Sequence, residues 1–242
     1  LSLHDALPIL RPRWFDGVAL CLGSMAPDLA YLAAGTRVGF ASHTPAALLW
    51  FCLPVTLILT ALVRRTAAPL LAHLPLPPAL RDRLAPLAGP APVLHITITS
   101  ALLGASTHVL LDAFTHRHGL GVAAWPWLRT VALHVHQRPI PIYSLLQGPG
   151  SLLLALFSLL CLRALSRRAP ATALPQPTPA SRRRFARFAA VSLTLALLIP
   201  LLAYPAGGLP ALIIRGATLV FLALVLAASA SEPPATSPAR AC

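Results

Sequence analysis

Six stretches of about twenty mostly apolar residues recur along this chain, and a hydrocarbon core roughly 30 Å thick needs about that many for one helix to cross it. They cover residues 17–34, 46–63, 93–114, 142–162, 185–204 and 209–228. The pattern predicts an all-α fold, a polytopic membrane helix bundle of about six transmembrane helices. Composition points the same way. Hydrophobic residues make up 57% of the 242 and charged residues only 10%, with a mean hydropathy of +0.74, a balance foreign to soluble domains. Pro27 interrupts the first stretch and Gly148-Pro149-Gly150 the fourth. Such breaks are tolerated where the freed backbone groups face protein or a water-filled cavity.

The net charge of +13 would suit a nucleic-acid partner, but the basic residues stand between the apolar stretches and form no stripe with interleaved aromatics. No nucleic acid is expected; the partner is the lipid bilayer. All 19 basic residues are arginine. With successive spans alternating in direction, all of them fall on one side except Arg37, Arg117, Arg129, Arg138 and Arg215. The positive-inside rule then places both termini in the cytoplasm. Arginine without lysine, beside abundant Ala, Pro and Leu, reads as the codon bias of a GC-rich bacterial genome, so the expected location is a bacterial cytoplasmic (inner) membrane, multi-pass. Cys21, Cys52, Cys161 and Cys242 are far apart and give neither a disulfide framework nor a thiolate zinc site. They read as small buried hydrophobes.

Residues 1–9 read as a non-native leader, with no cleavable signal peptide following. Residues 10–165 form a four-span unit, and 166–184 a basic, flexible, Pro- and Ala-rich cytoplasmic linker. Residues 185–230 make a two-span hairpin, and 231–242 a disordered tail.

Six acidic residues exist, and Asp28 and Asp112 lie inside predicted spans, where a carboxylate costs about 3 kcal/mol or more and requires a partner. Asp112 is flanked by His108 and His116 at i−4 and i+4, and Ser42-His43-Thr44 opens the second span. Alternating directions bring Asp28, His43, Asp112 and His116 to the same side of the membrane. Carboxylate and imidazole from three helices suit a divalent metal such as Zn, Mn or Fe. His108 and His116 are about 12 Å apart along the axis and should not share one ion, so one is a supporting residue or the site is dinuclear about Asp112. The bland alternative is a set of carboxylate–histidine pairs that fix helix packing. His134 and His136 are expected in a solvated outer loop, His73 and His95 in structural roles, and His118 just outside the membrane.

These residues also carry a resemblance. Gly23 to Asp28 (G-S-x-x-P-D), Ser42-His43, Thr107 to His116 (T-H-x-x-x-D-x-x-T-H) and Pro141 to Ser151 (P-x-Y-x-x-L-Q) resemble an uncharacterised bacterial integral-membrane family, domain of unknown function 4184. The likeness covers about residues 10–165. Gly150 stands where that family has the first Ser of its last pair, and the leader occupies the place of a further S-H-x-A segment. More distantly, the P-D, S-H and H-x-x-x-D pattern is similar to membrane-bound metal-dependent hydrolases, among them the LexA-binding inner-membrane group and the zinc-dependent phospholipase C type. That resemblance implies a metal-dependent hydrolase acting on a phosphoester or lipid-linked substrate at the extracytoplasmic surface. Its metal ligands would come from Asp28, His43, His108, Asp112 and His116, with Arg117 or Arg138 holding substrate phosphate. The competing expectation is a non-enzymatic membrane protein, in which the cluster relays protons or ions or simply packs helices.

Overall fold

A computed structural model describes residues 14–34, 37, 39–89, 91–149, 152, 156, 174, 176–202 and 208–230. The leader, most of the linker, the tail and most of the fourth span beyond residue 149 lie outside the described residues. Asp16 caps α1 (Gly17–Met25), its carboxylate accepting from the amides of Val18 and Ala19. Pro27 does not end the helical path. Its ring and missing N–H are incompatible with an α-helix interior, and the chain tightens into a 3₁₀ segment over Ala26–Ala33.

Helix α2 spans Pro45–His73, 29 residues or about 44 Å, well past the predicted end at residue 63. It continues because Arg64 and Arg65 are good helix formers and because Arg64 finds a buried partner. A π turn at Leu48–Cys52 lies just before Pro54 and accommodates the proline ring without ending the helix. Helix α3 (Pro78–Leu84) and a 3₁₀ turn lead to α4 (Leu94–Thr115). After α4 come a short α5 (Leu120–Ala124), a β-hairpin of β1 (Val131–Val135) and β2 (Arg138–Pro141), and helical residues 142–149. The final pair is α7 (Pro179–Leu202) and α8 (Gly208–Ala230), where the 142–149 helix counts as α6.

The hairpin is an element the all-α reading lacks. Val131, Leu133 and Val135 alternate with period two, and His136 and Gln137 turn the chain with positive φ of 46° and 64°. Two positive-φ residues in a two-residue connection match the right-handed twist of the paired strands. The segment is too short for its alternation to stand out among longer apolar runs.

Three helices are long and apolar enough to cross a membrane: Pro45–His73, Leu94–Thr115 and Ala211–Ala230. Their packing fits that solvent. Side chains facing inward are small, including Ala26, Ala47, Ala101, Ala105, Thr56 and Ser100, while Leu49, Ile58 and Leu110 point outward at 62–66% exposure. Small residues between helices and large apolar residues outside are what lipid, unlike water, rewards. Cys52 is buried as expected, whereas Cys21 is exposed on α1, facing outward among the large apolar side chains.

Contacts fix the relative directions of α1, α2 and α4. Asp16 at the start of α1 meets Arg64 late in α2 and Thr97 and Ser100 early in α4. Helices α1 and α4 therefore run one way and α2 the other, which carries Asp28, the start of α2 and the end of α4 to the opposite end.

Candidate metal centre

Two glycines set the geometry at the crossing of α1 and α4. A Cβ on Gly23 would strike the carbonyl of Ala101, and one on Gly104 would meet the carbonyl of Leu20 and, at 2.8 Å, the amide nitrogen of Ser24. The backbones are in direct contact, and this has a chemical consequence. His108, one turn beyond Gly104, reaches the carbonyl of Ser24 with Nδ1 at 2.6 Å. That carbonyl has capacity to accept because Pro27, three residues on, has no N–H. A carbonyl only accepts, so His108 Nδ1 carries a hydrogen, and Nε2 is the ring nitrogen left to face the carboxylates.

His108 Nε2 is buried, makes no hydrogen bond among the described residues, and points between two carboxylates. It lies 3.5 Å from Asp28 Oδ1 and 3.3 Å from Asp112 Oδ2. His43 Nε2 faces the same two atoms, 3.6 Å from Asp28 Oδ1 and 3.0 Å from Asp112 Oδ2. Its Nδ1 is 3.0 Å from the hydroxyl of buried Ser42. Asp28, His43 and His108 each offer one ligand atom, all within 4.8 Å of one another.

These spacings can be compared with a coordination shell. Four ligands about 2.0–2.1 Å from a central ion at tetrahedral angles are about 3.3 Å apart. Of the six edges such a shell has, the four carboxylate–imidazole ones measure 3.0 to 3.6 Å here and bracket that length. The group of Asp28, His43 and His108, one carboxylate and two imidazoles, is of a donor type that suits Zn, Mn or Fe.

His116 occupies a different place. Its Nε2 is 3.1 Å from the amide nitrogen of Gln147, which donates, so its Nδ1 carries the hydrogen and faces Asp112 Oδ1 at 3.4 Å. Asp112 thus presents one oxygen to His43 and His108 and the other to His116. Between the two flanking histidines, His108 joins the convergent set and His116 orients the carboxylate from behind.

Arg117 and Arg138 are both exposed, Arg117 in the turn after α4 and Arg138 at the tip of the hairpin, and neither forms an ion pair with the cluster among the described residues. His134 lies on β1 and His136 in its turn, both exposed. His118 and His95 are exposed as well, while His73 bonds Ser181 at 2.6 Å and stacks on Phe185, joining α2 to α7. An open cleft of about 360 Å³ lies beside His43, lined by Ala30, Tyr31, Ala34, Phe40 and Ser42. Arg215 of α8 donates to the carbonyls of Tyr31 and Ala34 at the end of the 3₁₀ segment, the Tyr31 carbonyl also accepting from the Ala34 amide.

Ionisation of the cluster follows from this geometry. His43 precedes the first turn of α2, and the carboxylates of Asp112 and Asp28 push its imidazole up to about 9, against the opposing effect of partial burial.

Sequence reasoning left three supporting residues without a role. Ser42 and Gln147 sit inside quoted motifs, and only their contacts reveal their function. Asp16 just precedes an apolar run, a recognisable cap position, yet its partner Arg64 lies 48 positions further along the chain and is brought to it only by the fold.

The class defined here is a mostly helical protein with membrane-length helices and a carboxylate–histidine cluster at one end of them. The family model described as Domain of unknown function (DUF4184) matches residues 5–230, and the chain belongs to that family. No curated protein matches the chain, and neither does any solved structure.

Proposed function

We propose that this chain is a multi-pass metalloprotein of a bacterial cytoplasmic membrane, with six spans and both termini cytoplasmic. Asp28, His43, His108 and Asp112 hold one divalent cation on the extracytoplasmic side. The observation that carries this reading is His108. Its Nδ1 is tied to a backbone carbonyl, while its buried Nε2 has no hydrogen-bond partner among the described residues and converges with Asp28 and His43. A ring nitrogen held by a backbone carbonyl so that the other faces a ligand cluster is the usual support of a metal-binding histidine.

The activity that such a site supports best is hydrolysis, with a phosphoester or lipid-linked compound as substrate. A divalent cation lowers the pKa of water and polarises a phosphoryl oxygen. The chain's own residues orient the ligands through Ser24, Ser42, His116 and Gln147, and the cleft beside His43 gives access. Arg117 and Arg138 remain the proposed phosphate-holding residues, requiring approach from the hairpin side.

Elemental analysis of the purified protein is the decisive measurement. About one equivalent of metal is expected in the native chain. Asp112→Asn should remove it while the protein still inserts, since a neutral amide is easier to bury than a carboxylate. Native protein free of metal, with Asp112→Asn changing only stability or proton movement, would leave the alternative of a proton relay or a packing network. That reading draws on the same ion-pair distances.

A further inference from the structure

We infer that residues 117–141 form a platform that lies on the membrane surface and grips anionic phospholipid headgroups. The segment begins where α4 ends, at Thr115, so it emerges at the boundary of a membrane-length helix. It is anchored from beneath. Val122 and Leu128 are buried at 0% and 3% exposure, and the ring of Trp125 stacks on Phe114 with centroids 5.3 Å apart.

Its outer surface combines two features. Leu120 is 79% exposed and Trp127 56%, and all five residues of β1 are exposed, Val131, Leu133 and Val135 at 40–49%. Arg117, Arg129 and Arg138 stand around these residues, all exposed. No carboxylate accompanies them, because Asp112 is the last acidic residue before Glu232. A water-facing surface ordinarily interleaves both signs of charge. Tryptophan beside arginine, without acid, matches the headgroup layer of an anionic bilayer, where indole rings sit at the interface and cations meet lipid phosphate.

Pairing with another protein through the sheet edge is the obvious rival, and the hairpin is poorly made for it. Strand β2 carries Pro139 and Pro141, which have no N–H to donate, and β1 is irregular between Val131 and Leu133. The proposal is independent of metal binding.

The test uses the full chain reconstituted in vesicles of phosphatidylcholine alone or of phosphatidylcholine with phosphatidylglycerol. In a variant retaining Trp127 as its one tryptophan, brominated acyl chains should quench emission strongly in the mixed vesicles and less in phosphatidylcholine, with aqueous iodide showing the reverse. Added salt should erase the difference. In the native chain, which needs no substitution, tryptic cleavage after Arg117 and Arg129 should slow severalfold on the mixed vesicles. Equal quenching and equal cleavage in both lipids would overturn the proposal. So would a Trp127 open to iodide throughout, which would turn the face toward water or a protein partner.

Discussion

Asp16 and the Asp28–Asp112 pair lie at opposite ends of the same three helices, about 22 Å apart measured along α4 from Thr97 to Asp112. The first is closed. Asp16 is 1% exposed, and its two oxygens accept from two backbone amides, Thr97 Oγ1 at 2.9 Å and Arg64 at 2.8 Å. The second is partly exposed, and its acceptors and ring nitrogens converge on a common point where one nitrogen makes no hydrogen bond among the described residues. A carboxylate kept for packing has its lone pairs matched to donors on all sides. A carboxylate kept for a ligand has an oxygen aimed at other acceptors, which only a cation or proton reconciles. That contrast, within one bundle, is the strongest argument that the Asp28–Asp112 cluster is a site.

Removing Asp16 should give the larger effect on folding. Asp16→Ala leaves Arg64 as a buried cation and uncaps α1, and breaking a buried pair by deleting one partner costs about 3–5 kcal/mol. Denaturation in detergent should show that loss, while metal content per folded molecule stays at the native level. Metal loss at full stability would mean that the two ends are not separable and would undo the comparison.

A pH series sharpens the contrast next. His43 has its pKa raised from 6.5 to about 9 by Asp112 and Asp28, so the stability it contributes to the metal-free protein is fully present below about 6.5 and fades as pH rises through 9. A bound cation must displace that proton, so metal affinity should change the other way, tightening by about tenfold per pH unit for one proton released. Chelator-treated protein should therefore lose stability between pH 6.5 and 9, while metal titrations over the same range show rising affinity. Affinity independent of pH would exclude His43 as a ligand.

Much of this was legible in the sequence, and the reasons are particular. Asp28 and Asp112 stood out because carboxylates are costly within apolar runs, and alternating helix direction placed them with His43. Choosing between His108 and His116 was beyond the spacing alone, since both lie one turn from Asp112. The choice rests on Gly23 and Gly104, which let α1 and α4 touch and bring the Ser24 carbonyl to His108. Glycine signals close approach, but the approaching partner is a property of the fold. Asp16 was hidden for the same reason, its partners being contributed by α2 and α4. The hairpin was overlooked because five residues of alternation are a weak signal beside apolar runs of twenty.

The finest test of the open cluster concerns a residue that, among the described residues, meets it only through His43. Ser42 is 4% exposed and places its hydroxyl 3.0 Å from His43 Nδ1, so it fixes the ring whose Nε2 faces Asp28 and Asp112. Ser42→Ala removes that support without changing charge. Loss of such an outer partner costs about 10–100-fold in metal affinity, and a single hydroxyl contact on a ring already flanked by two carboxylates belongs at the lower end, near tenfold. Competition titration against a chelator of known affinity measures it, and thermal denaturation of metal-free protein supplies the control. A cluster that only packs helices predicts the opposite partition. Ser42→Ala would then lower the stability of metal-free protein by about 1 kcal/mol, the worth of one hydrogen bond, and leave ion affinity unchanged. The ratio of the two effects therefore separates a ligand-orienting hydroxyl from a structural one.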